Sequence, residues 1–190
     1  MGMGWTRRWF TGGAAAVALA AALAAALVPS PAWAHFAAGD RIAGRVVSVE
    51  DGDTLTVLAP GNTPVRIRVA NIDAPEWDQP YGDRAKRVLS DLAFGQEAEV
   101  AVDDIDSYQR PVGRIRVGRE DVNAALVRSG AAWVFTRYNR DPSLAAVEAE
   151  ARAARRGLWS LPEGERMPPW EWRAAKREER DRRRAANDGR

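Results

Sequence analysis

The sequence lacks cysteine altogether and contains a single histidine, His35. A chain without cysteine cannot form a disulfide, so its hydrophobic core must stabilise the fold even in an oxidising compartment. The lone histidine follows a predicted cleavage site and would begin the mature chain. Catalysis that depends on a histidine base is therefore excluded.

Long hydrophobic runs are also missing. The longest apolar stretch, from Ala14 to Val28, is shorter than the roughly 20 residues that a bilayer-spanning helix needs. Arg7 and Arg8 precede this stretch, and Ala32-Trp33-Ala34 follows it as a small-residue cleavage site. This order predicts a signal peptide over residues 1–34 that is cleaved before His35. Retention of the segment as a membrane anchor is the alternative.

The signal segment leaves two export routes open. Thr6 to Phe10 contains a pair of arginines and resembles a twin-arginine export signal, and the weakly apolar, alanine-rich run suits that route. Ordinary secretion is equally compatible with the pattern. Either route predicts an exported protein, secreted or retained in the periplasm or cell envelope.

Neither sign of charge is in excess once the signal segment is removed. Residues 1–34 hold 2 of the 28 basic residues and none of the 26 acidic ones, which leaves 26 of each in residues 35–190. The net charge of the mature chain therefore does not indicate a nucleic-acid partner, and any attraction for phosphate must come from local clusters. The mature length suits one domain with a sizeable core.

Short runs of apolar residues, separated by turns rich in Gly, Asp and Pro, predict β-strands in the first part of the mature chain. A helix interrupts them from Asp83 to Phe94, where apolar residues recur at helical spacing before Gly95. The five predicted strands are Ile42–Val49, Thr54–Leu58, Val65–Ala70, Ala98–Val102 and Val112–Val117.

Two more helices are predicted in the C-terminal half. The first runs from an N-cap at Asp121 to Ser129, and the second is capped by Asp141 and ends at Gly157. The order βββαββαα indicates an α+β, mainly β fold in which a small five-stranded barrel carries three helices.

The last segment, residues 173–190, carries eight basic and four acidic residues. Such a tail is usually solvated and partly disordered or helical. Two other interpretations stay open: an electrostatic attachment to phosphate backbones or anionic surfaces, and pairing with the acidic body of the protein.

Candidate catalytic residues surround two neighbouring turns. Asp53 lies in an Asp-Gly-Asp turn before the second strand, Arg68 lies near the end of the third strand, and Asp73 and Glu76 follow it. Carboxylates and main-chain carbonyls are the ligands that calcium and magnesium prefer. Each residue alone also has an ordinary structural interpretation, since an Asp-Gly pair is usually a simple turn.

Several motifs in order resemble those of the thermonuclease (staphylococcal nuclease) family, and the resemblance covers residues 40–172. The closing segment Pro168 to Arg173 also resembles bacterial members. The motifs are DGDT from Asp51, RVANIDAPE from Arg68, Tyr81-Gly82, DSYQRPVGR from Asp106, VNAALVRSGAAWV from Val122, and EARAARRGLW ending at Trp159. The family's fold is a five-stranded OB-type barrel with three helices.

The resemblance implies a role for each site residue. It makes Asp53 and Asp73 calcium ligands together with the main-chain carbonyl of Ala74. It makes Arg68 and Arg110 the catalytic arginines, and Glu76 the glutamate that activates or positions the attacking water. It places Asp51 and Thr54 around the metal ligands and Tyr108 and Tyr138 against the nucleotide, although either tyrosine could instead belong to the core.

Residue types and chemistry agree in this set. Hydrolysis of a phosphodiester builds negative charge on the phosphoryl oxygens, which fixed positive groups stabilise. Arginine binds two phosphate oxygens at once and does not lose its proton. A metal ion orients water, and a nearby carboxylate accepts its proton.

Two features depart from the family pattern. Gln109 replaces the glycine that commonly precedes the second arginine, which predicts strain in the Arg110 turn if that turn needs a left-handed backbone. The loop between Glu76 and Tyr81 is also shorter than in the family's best-known member. Outside the motifs, Arg128 is predicted to have a structural role, and Trp77 is interpreted as a packed loop residue or a flanking stacking contact.

The resemblance thus implies a monomeric, calcium-dependent endonuclease that hydrolyses DNA, and RNA as a further candidate, with low sequence specificity and leaves 3'-phosphate ends. The alternative is an inactive OB-fold module that binds single-stranded nucleic acid. The five charged residues retained together favour the enzyme.

Overall fold

A computed structural model describes Met1 and residues 36–137, 139 and 141–188. The predicted signal peptide and its cleavage site therefore lie outside the described residues, apart from Met1. All helices and strands described below belong to the compact unit His35–Arg190. Within the described residues, no helix has both the length and the apolar character needed to cross a membrane.

The described residues contain eight β-strands. Five are long and match the predicted strands, and three are two-residue strands that were not predicted. The strands are β1 (Arg41–Val49), β2 (Thr54–Ala59), β3 (Thr63–Val69), β4 (Ile72–Asp73), β5 (Glu97–Ile105), β6 (Pro111–Val117), β7 (Glu120–Asp121) and β8 (Trp133–Val134).

The five long strands close into a barrel. Strand β1 pairs antiparallel with β2 and β5, while β3 joins β2 and β6 joins β5 in the same manner. A short parallel pairing of β3 with β6 completes the ring, with Arg68 opposite Val112 and Val69 opposite Gly113. The predicted five-stranded OB-type barrel is confirmed.

Alternate strand residues fill the barrel. Leu55 and Val57 of β2, Ile67 of β3 and Ile115 of β6 are fully buried, whereas Arg114 faces outward as its position in the alternation predicts. Burial of each such aliphatic side chain contributes about 1.5–3 kcal/mol before the entropic terms are counted.

The described residues form four α-helices, one more than predicted. Two short 3-10 turns, Gly157–Ser160 and Glu163–Glu165, connect the third helix to the fourth. The helices are α1 (Gly82–Ala93), α2 (Val122–Arg128), α3 (Ser143–Ala153) and α4 (Pro169–Asp188).

The predicted caps hold for α2 but not for α3. Asp121 caps α2 by accepting the Ala124 N–H at 3.0 Å. The N-cap position of α3 is Pro142. Asp141 precedes it, and its carboxylate accepts the main-chain N–H of Ser143, the first residue of the helix. Gly157 does not end α3, which stops at Ala153. Gly157 is needed for close packing, because a Cβ there would lie 2.3 Å from the Gly130 carbonyl oxygen.

Helix α4 contains most of the segment predicted to be a charged tail. It begins before Arg173, so it crosses the predicted boundary between residues 172 and 173. Its first turn packs on the body, where Trp170 stacks on Phe135 with ring centroids 5.3 Å apart. From Ala175 to Asp188 every residue is exposed.

A buried amide joins α2 to the barrel beside the site. Asn123 on α2 accepts the N–H of Ile115 at 3.0 Å and donates to the carbonyl oxygen of Ala70 at 2.8 Å. It therefore connects β6 to the residue that follows β3. The pairing of β3 with β6 is the one that closes the barrel.

Replacement of Asn123 by Ala is expected to lower the free energy of unfolding by about 2–4 kcal/mol, because it leaves a buried N–H and a buried carbonyl without partners. Chemical denaturation monitored by circular dichroism measures the change. Gln96→Ala removes an exposed amide and is the control, with an expected change within about 0.5 kcal/mol. Equal effects of the two substitutions would contradict the role given to Asn123.

Candidate active site

Asp53 is fixed at the point where β2 begins and β3 ends. Its carbonyl accepts the Val69 N–H at 2.8 Å, and its own N–H donates to the Asp51 carboxylate at 3.0 Å. Its carboxylate accepts from the Thr54 hydroxyl and from the Ala74 N–H, both at 3.1 Å. The Asp-Gly-Asp turn therefore orients this carboxylate toward the segment that follows β3.

Asp73 lies in that segment, on β4, and only 1% of it is exposed. The two-residue strand pairs with β8, with Asp73 opposite Trp133. The Nη2 atom of Arg68 lies 3.2 Å from Oδ1 of Asp73 and 3.5 Å from Oδ2 of Asp53. One guanidinium thus bridges the two carboxylates predicted to bind calcium.

The carboxylates of Asp51 and Asp73 are shielded from most of the solvent. Burial raises the pKa of Asp73 above 3.8, and hydrogen bonds from Arg173 oppose the shift. Burial also raises the pKa of Asp51 to about 6, and the charge of Asp53 adds to that shift. Both directions have the same physical cause: negative charge is concentrated where water solvates it poorly.

The second predicted arginine, Arg110, is held by Asp106. The carboxylate of Asp106 accepts from Nε and Nη2 of Arg110 at 2.8 Å. The same carboxylate accepts the main-chain N–H groups of Tyr108 and Arg110 at 2.9 Å. Asp106 therefore shapes the loop before β6 and orients Arg110. This role was not predicted from the sequence, although Asp106 begins the DSYQRPVGR motif.

Gln109 adopts the left-handed backbone that its position demands, with φ of 61°. The predicted strain is therefore present, because left-handed conformations are unfavourable for residues with a Cβ. Arg110 nevertheless lines the cleft. The network around Asp106 holds the turn despite the missing glycine.

Glu76 has a partner that the sequence analysis did not assign to the site. The Nη1 atom of Arg173, on the first turns of α4, donates to Oε1 of Glu76 at 2.6 Å. Arg173 also donates to both oxygens of Asp73, at 3.1 and 2.6 Å. The only sequence signal for this residue was its place at the end of the Pro168–Arg173 motif.

A cleft of about 650 Å³ brings most of the predicted residues together. Its lining includes Asp51, Asp53, Thr54, Arg68, Asp73, Ala74, Glu76, Asp106, Tyr108, Arg110 and Arg173.

The remaining predicted residues have different positions. Tyr108 is 79% exposed and lies at the rim, with the Arg110 guanidinium 5.4 Å from its ring centroid. Tyr138 lies outside the described residues. Trp77 is 77% exposed and does not line the cleft, and Arg128 pairs with Glu120 at 3.2 Å, as a structural role predicts.

The donor set of the cleft suits a hard divalent cation. No group of three or more His, Asp or Glu side chains converges as a ready-made cage within the described part of the chain. The cleft does bring the carboxylates of Asp51, Asp53, Asp73 and Glu76 together around the guanidinium groups of Arg68 and Arg173, and Asp103, Asp104 and Asp106 also line it. A divalent cation would offset part of this negative charge, and calcium completes its coordination with carbonyls and water.

Comparisons with known proteins agree on one family. A family model described as Staphylococcal nuclease homologue matches residues 66–161, a range that includes Arg68, Glu76 and Arg110 but begins after Asp53. Protein ParB of Escherichia coli is 40% identical over 173 residues, which cover 85% of this chain and 93% of that protein.

Two further relatives are named as nucleases. Micrococcal nuclease of Shigella flexneri is 38% identical over 172 residues, covering 85% of this chain and 94% of the relative. A protein of Escherichia coli O157:H7 named Uncharacterized endonuclease is 43% identical over 136 residues, which cover 71% of this chain and 87% of that protein. Both alignments span most of the two proteins compared.

Replacement of Gln109 by Gly is expected to stabilise the protein by about 0.5–1 kcal/mol, because relief of the left-handed strain exceeds the added entropy of the unfolded chain. Thermal unfolding followed by calorimetry measures a rise of about 1–4 °C in Tm. Ser107→Gly, in the same turn but without a positive φ, is the control and is expected to lower Tm. A lower Tm for Gln109→Gly would show that the turn is not strained.

Proposed function

This chain belongs to the staphylococcal nuclease family, and we propose that it is a calcium-dependent endonuclease that hydrolyses phosphodiester bonds of nucleic acid outside the cytoplasm. The observation that carries the proposal is the cluster of Asp53, Asp73 and Arg68, in which buried carboxylates and a guanidinium share one end of a cleft. The names of two relatives, Micrococcal nuclease and Uncharacterized endonuclease, support the same activity.

The carboxylates of Asp53 and Asp73 and the main-chain carbonyl of Ala74 would hold the calcium ion. When bound, the ion supplies a positive charge that neutralises a phosphoryl oxygen and orients the attacking water. The surrounding bonds favour this use of Asp53, because its N–H contacts with Asp51 and its carboxylate contacts with Thr54 and Ala74 hold its orientation before any ligand arrives.

Arg68 and Arg110 bind the phosphate oxygens. Closure of the barrel brings their strands side by side, because Arg68 pairs with Val112 two residues after Arg110. Arg110 uses Nε and Nη2 on Asp106, which orients its guanidinium, so its Nη1 remains for the substrate. Two fixed guanidinium groups stabilise the charge that accumulates at five-coordinate phosphorus.

Glu76 accepts the proton of the attacking water. Its side chain follows Asp73 by three residues and lines the same cleft, so Glu76 could take the proton of a water bound there. Its present hydrogen bond to Arg173 orients Oε1 toward the cleft. Transfer of the proton to Glu76 leaves hydroxide to attack phosphorus. The bond to the leaving sugar oxygen breaks, and that oxygen takes a proton from solvent water.

The cleft surroundings favour low sequence specificity. Its positive groups face phosphates, which every nucleotide carries, and the exposed ring of Tyr108 at the rim can stack on any base. We propose DNA as the substrate and RNA as a second one. Location outside the cytoplasm rests on the signal pattern of residues 1–34 alone.

Digestion of single-stranded and duplex DNA by the purified chain, with millimolar calcium and in parallel with chelator, tests the proposal. Degradation that needs calcium and stops with chelator is expected. Binding of single strands without cleavage under both conditions would instead identify an inactive binding module.

Replacement of either Arg68 or Arg110 by Ala is expected to lower kcat/KM on the order of 10²-fold, because each removes fixed charge from the transition state. Steady-state hydrolysis of a fluorogenic oligonucleotide measures the loss. Arg66→Ala is the matched control, since Arg66 lies two residues from Arg68 on the same strand but pairs with Glu50 and does not line the cleft. An equal loss in the control would exclude specific roles for the two arginines.

Replacement of Glu76 by Gln is expected to leave the fold intact and remove most activity, because glutamine cannot take up the water's proton. Circular dichroism and single-turnover hydrolysis measure the two properties. Undiminished turnover in this variant would refute the role of Glu76 as base.

A further inference from the structure

The guanidinium of Arg173 occupies the face of Asp73 that a metal ion would need. Its Nη2 donates to Oδ2 of Asp73 at 2.6 Å, and its Nη1 donates to Oδ1 at 3.1 Å. The same Nη1 donates to Oε1 of Glu76 at 2.6 Å. Both oxygens of one proposed calcium ligand and one oxygen of the proposed base are thus bound by a single side chain.

This contact and cation binding compete for the same carboxylate. A calcium ligand must approach within about 2.3–2.6 Å of the ion, and a bidentate guanidinium takes one lone pair of each carboxylate oxygen and places a positive charge beside them. Arg68 takes only one oxygen of Asp73, at 3.2 Å, so Arg68 does not impose the same block. Arg173 is therefore the group that has to leave.

Helix α4 delivers Arg173 from a position remote in the sequence. Near the site, Trp172 donates its Nε1–H to the Asp78 carboxylate at 3.1 Å, and Lys176 forms an ion pair with the same carboxylate. Gln79 donates to the Met167 carbonyl at 2.5 Å just before the helix. Asp78 and Gln79 thus anchor the start of α4 beside Glu76, while the helix from Ala175 onward is exposed.

We propose that Arg173 is a built-in counter-ion of the metal site, which occupies the cation position in the free enzyme and is displaced when the cation binds. The inference rests on the proposed function, since it assigns the divalent cation to Asp53 and Asp73. Arg173 neutralises buried carboxylates that would otherwise repel one another, and it lowers the affinity of the site for the cation by the same contacts.

Two opposite effects of one substitution follow from this account. Without Arg173 the cation no longer competes for Asp73, so its affinity rises. The same change leaves Glu76 without its Arg173 partner and Asp73 with Arg68 alone in the free protein, so the cation-free protein becomes less stable. Removal of a residue that merely supports the fold would lower both the affinity for the cation and the stability of the cation-free protein.

The test is calorimetric titration of the full chain with calcium chloride, together with thermal unfolding in chelator. Arg173→Gln is expected to lower the Kd for calcium about tenfold, a usual size for coupling between two binding events, and to lower Tm in chelator by about 4 °C or more. Arg177→Gln removes the same charge one turn along α4 and is the matched control, with a smaller change in Kd.

A second variant separates displacement from simple loss of positive charge. Asp78→Ala removes the contacts of Trp172 and Lys176 and so loosens the hold of α4 on Arg173. Because it also removes a negative charge near the site, electrostatics alone would weaken calcium binding. The counter-ion account predicts that this variant binds calcium more tightly than the unmodified chain.

The outcomes distinguish the inference from the proposed function. Calcium binding by the unmodified chain with an unchanged or higher Kd in Arg173→Gln would overturn the counter-ion while leaving the nuclease proposal in place. Weaker binding by Asp78→Ala would also overturn it. Absence of calcium binding in every variant would overturn the metal site itself, and the counter-ion with it.

Discussion

The site depends on one electrostatic constraint: four carboxylates lie at one end of a cleft, and two of them, Asp53 and Asp73, are buried. Such a cluster is stable only when positive charge is placed between its members. Arg68 bridges the two buried aspartates from the barrel wall, and Arg173 binds Asp73 and Glu76 from the C-terminal helix. A divalent cation would add further positive charge between these carboxylates.

The barrel supplies the geometry that this constraint requires. The parallel pairing of β3 with β6 places the end of one strand beside the start of the other, so the carboxylates after β3 face the arginine loop before β6. Asn123 fastens both strands to α2, and β4 is held by its pairing with β8. The fold therefore positions the segments that carry the charged groups, and side-chain bonds within the cleft then orient those groups.

Much of this arrangement was predictable because its causes are local. Strand alternation predicted the five barrel strands. The positions of Asp53, Arg68, Asp73 and Glu76 around two turns predicted that these residues lie close together, and they line one cleft. The end of α3 was not predictable, since Gly157 serves a close approach to Gly130. Arg173 was missed for a similar reason: it contacts Glu76 across 97 residues, and its charged surroundings in the sequence are typical of a solvated tail.

We infer that a divalent cation binds among the carboxylates of this cleft. A crystal structure of the chain grown with calcium, with an anomalous difference map, tests it most directly. The expected result is a peak within about 2.3–2.6 Å of Asp53, Asp73 and the Ala74 carbonyl, with the Arg173 guanidinium withdrawn from Asp73. A map without such a peak, in which Arg173 still binds both oxygens of Asp73, would contradict the account.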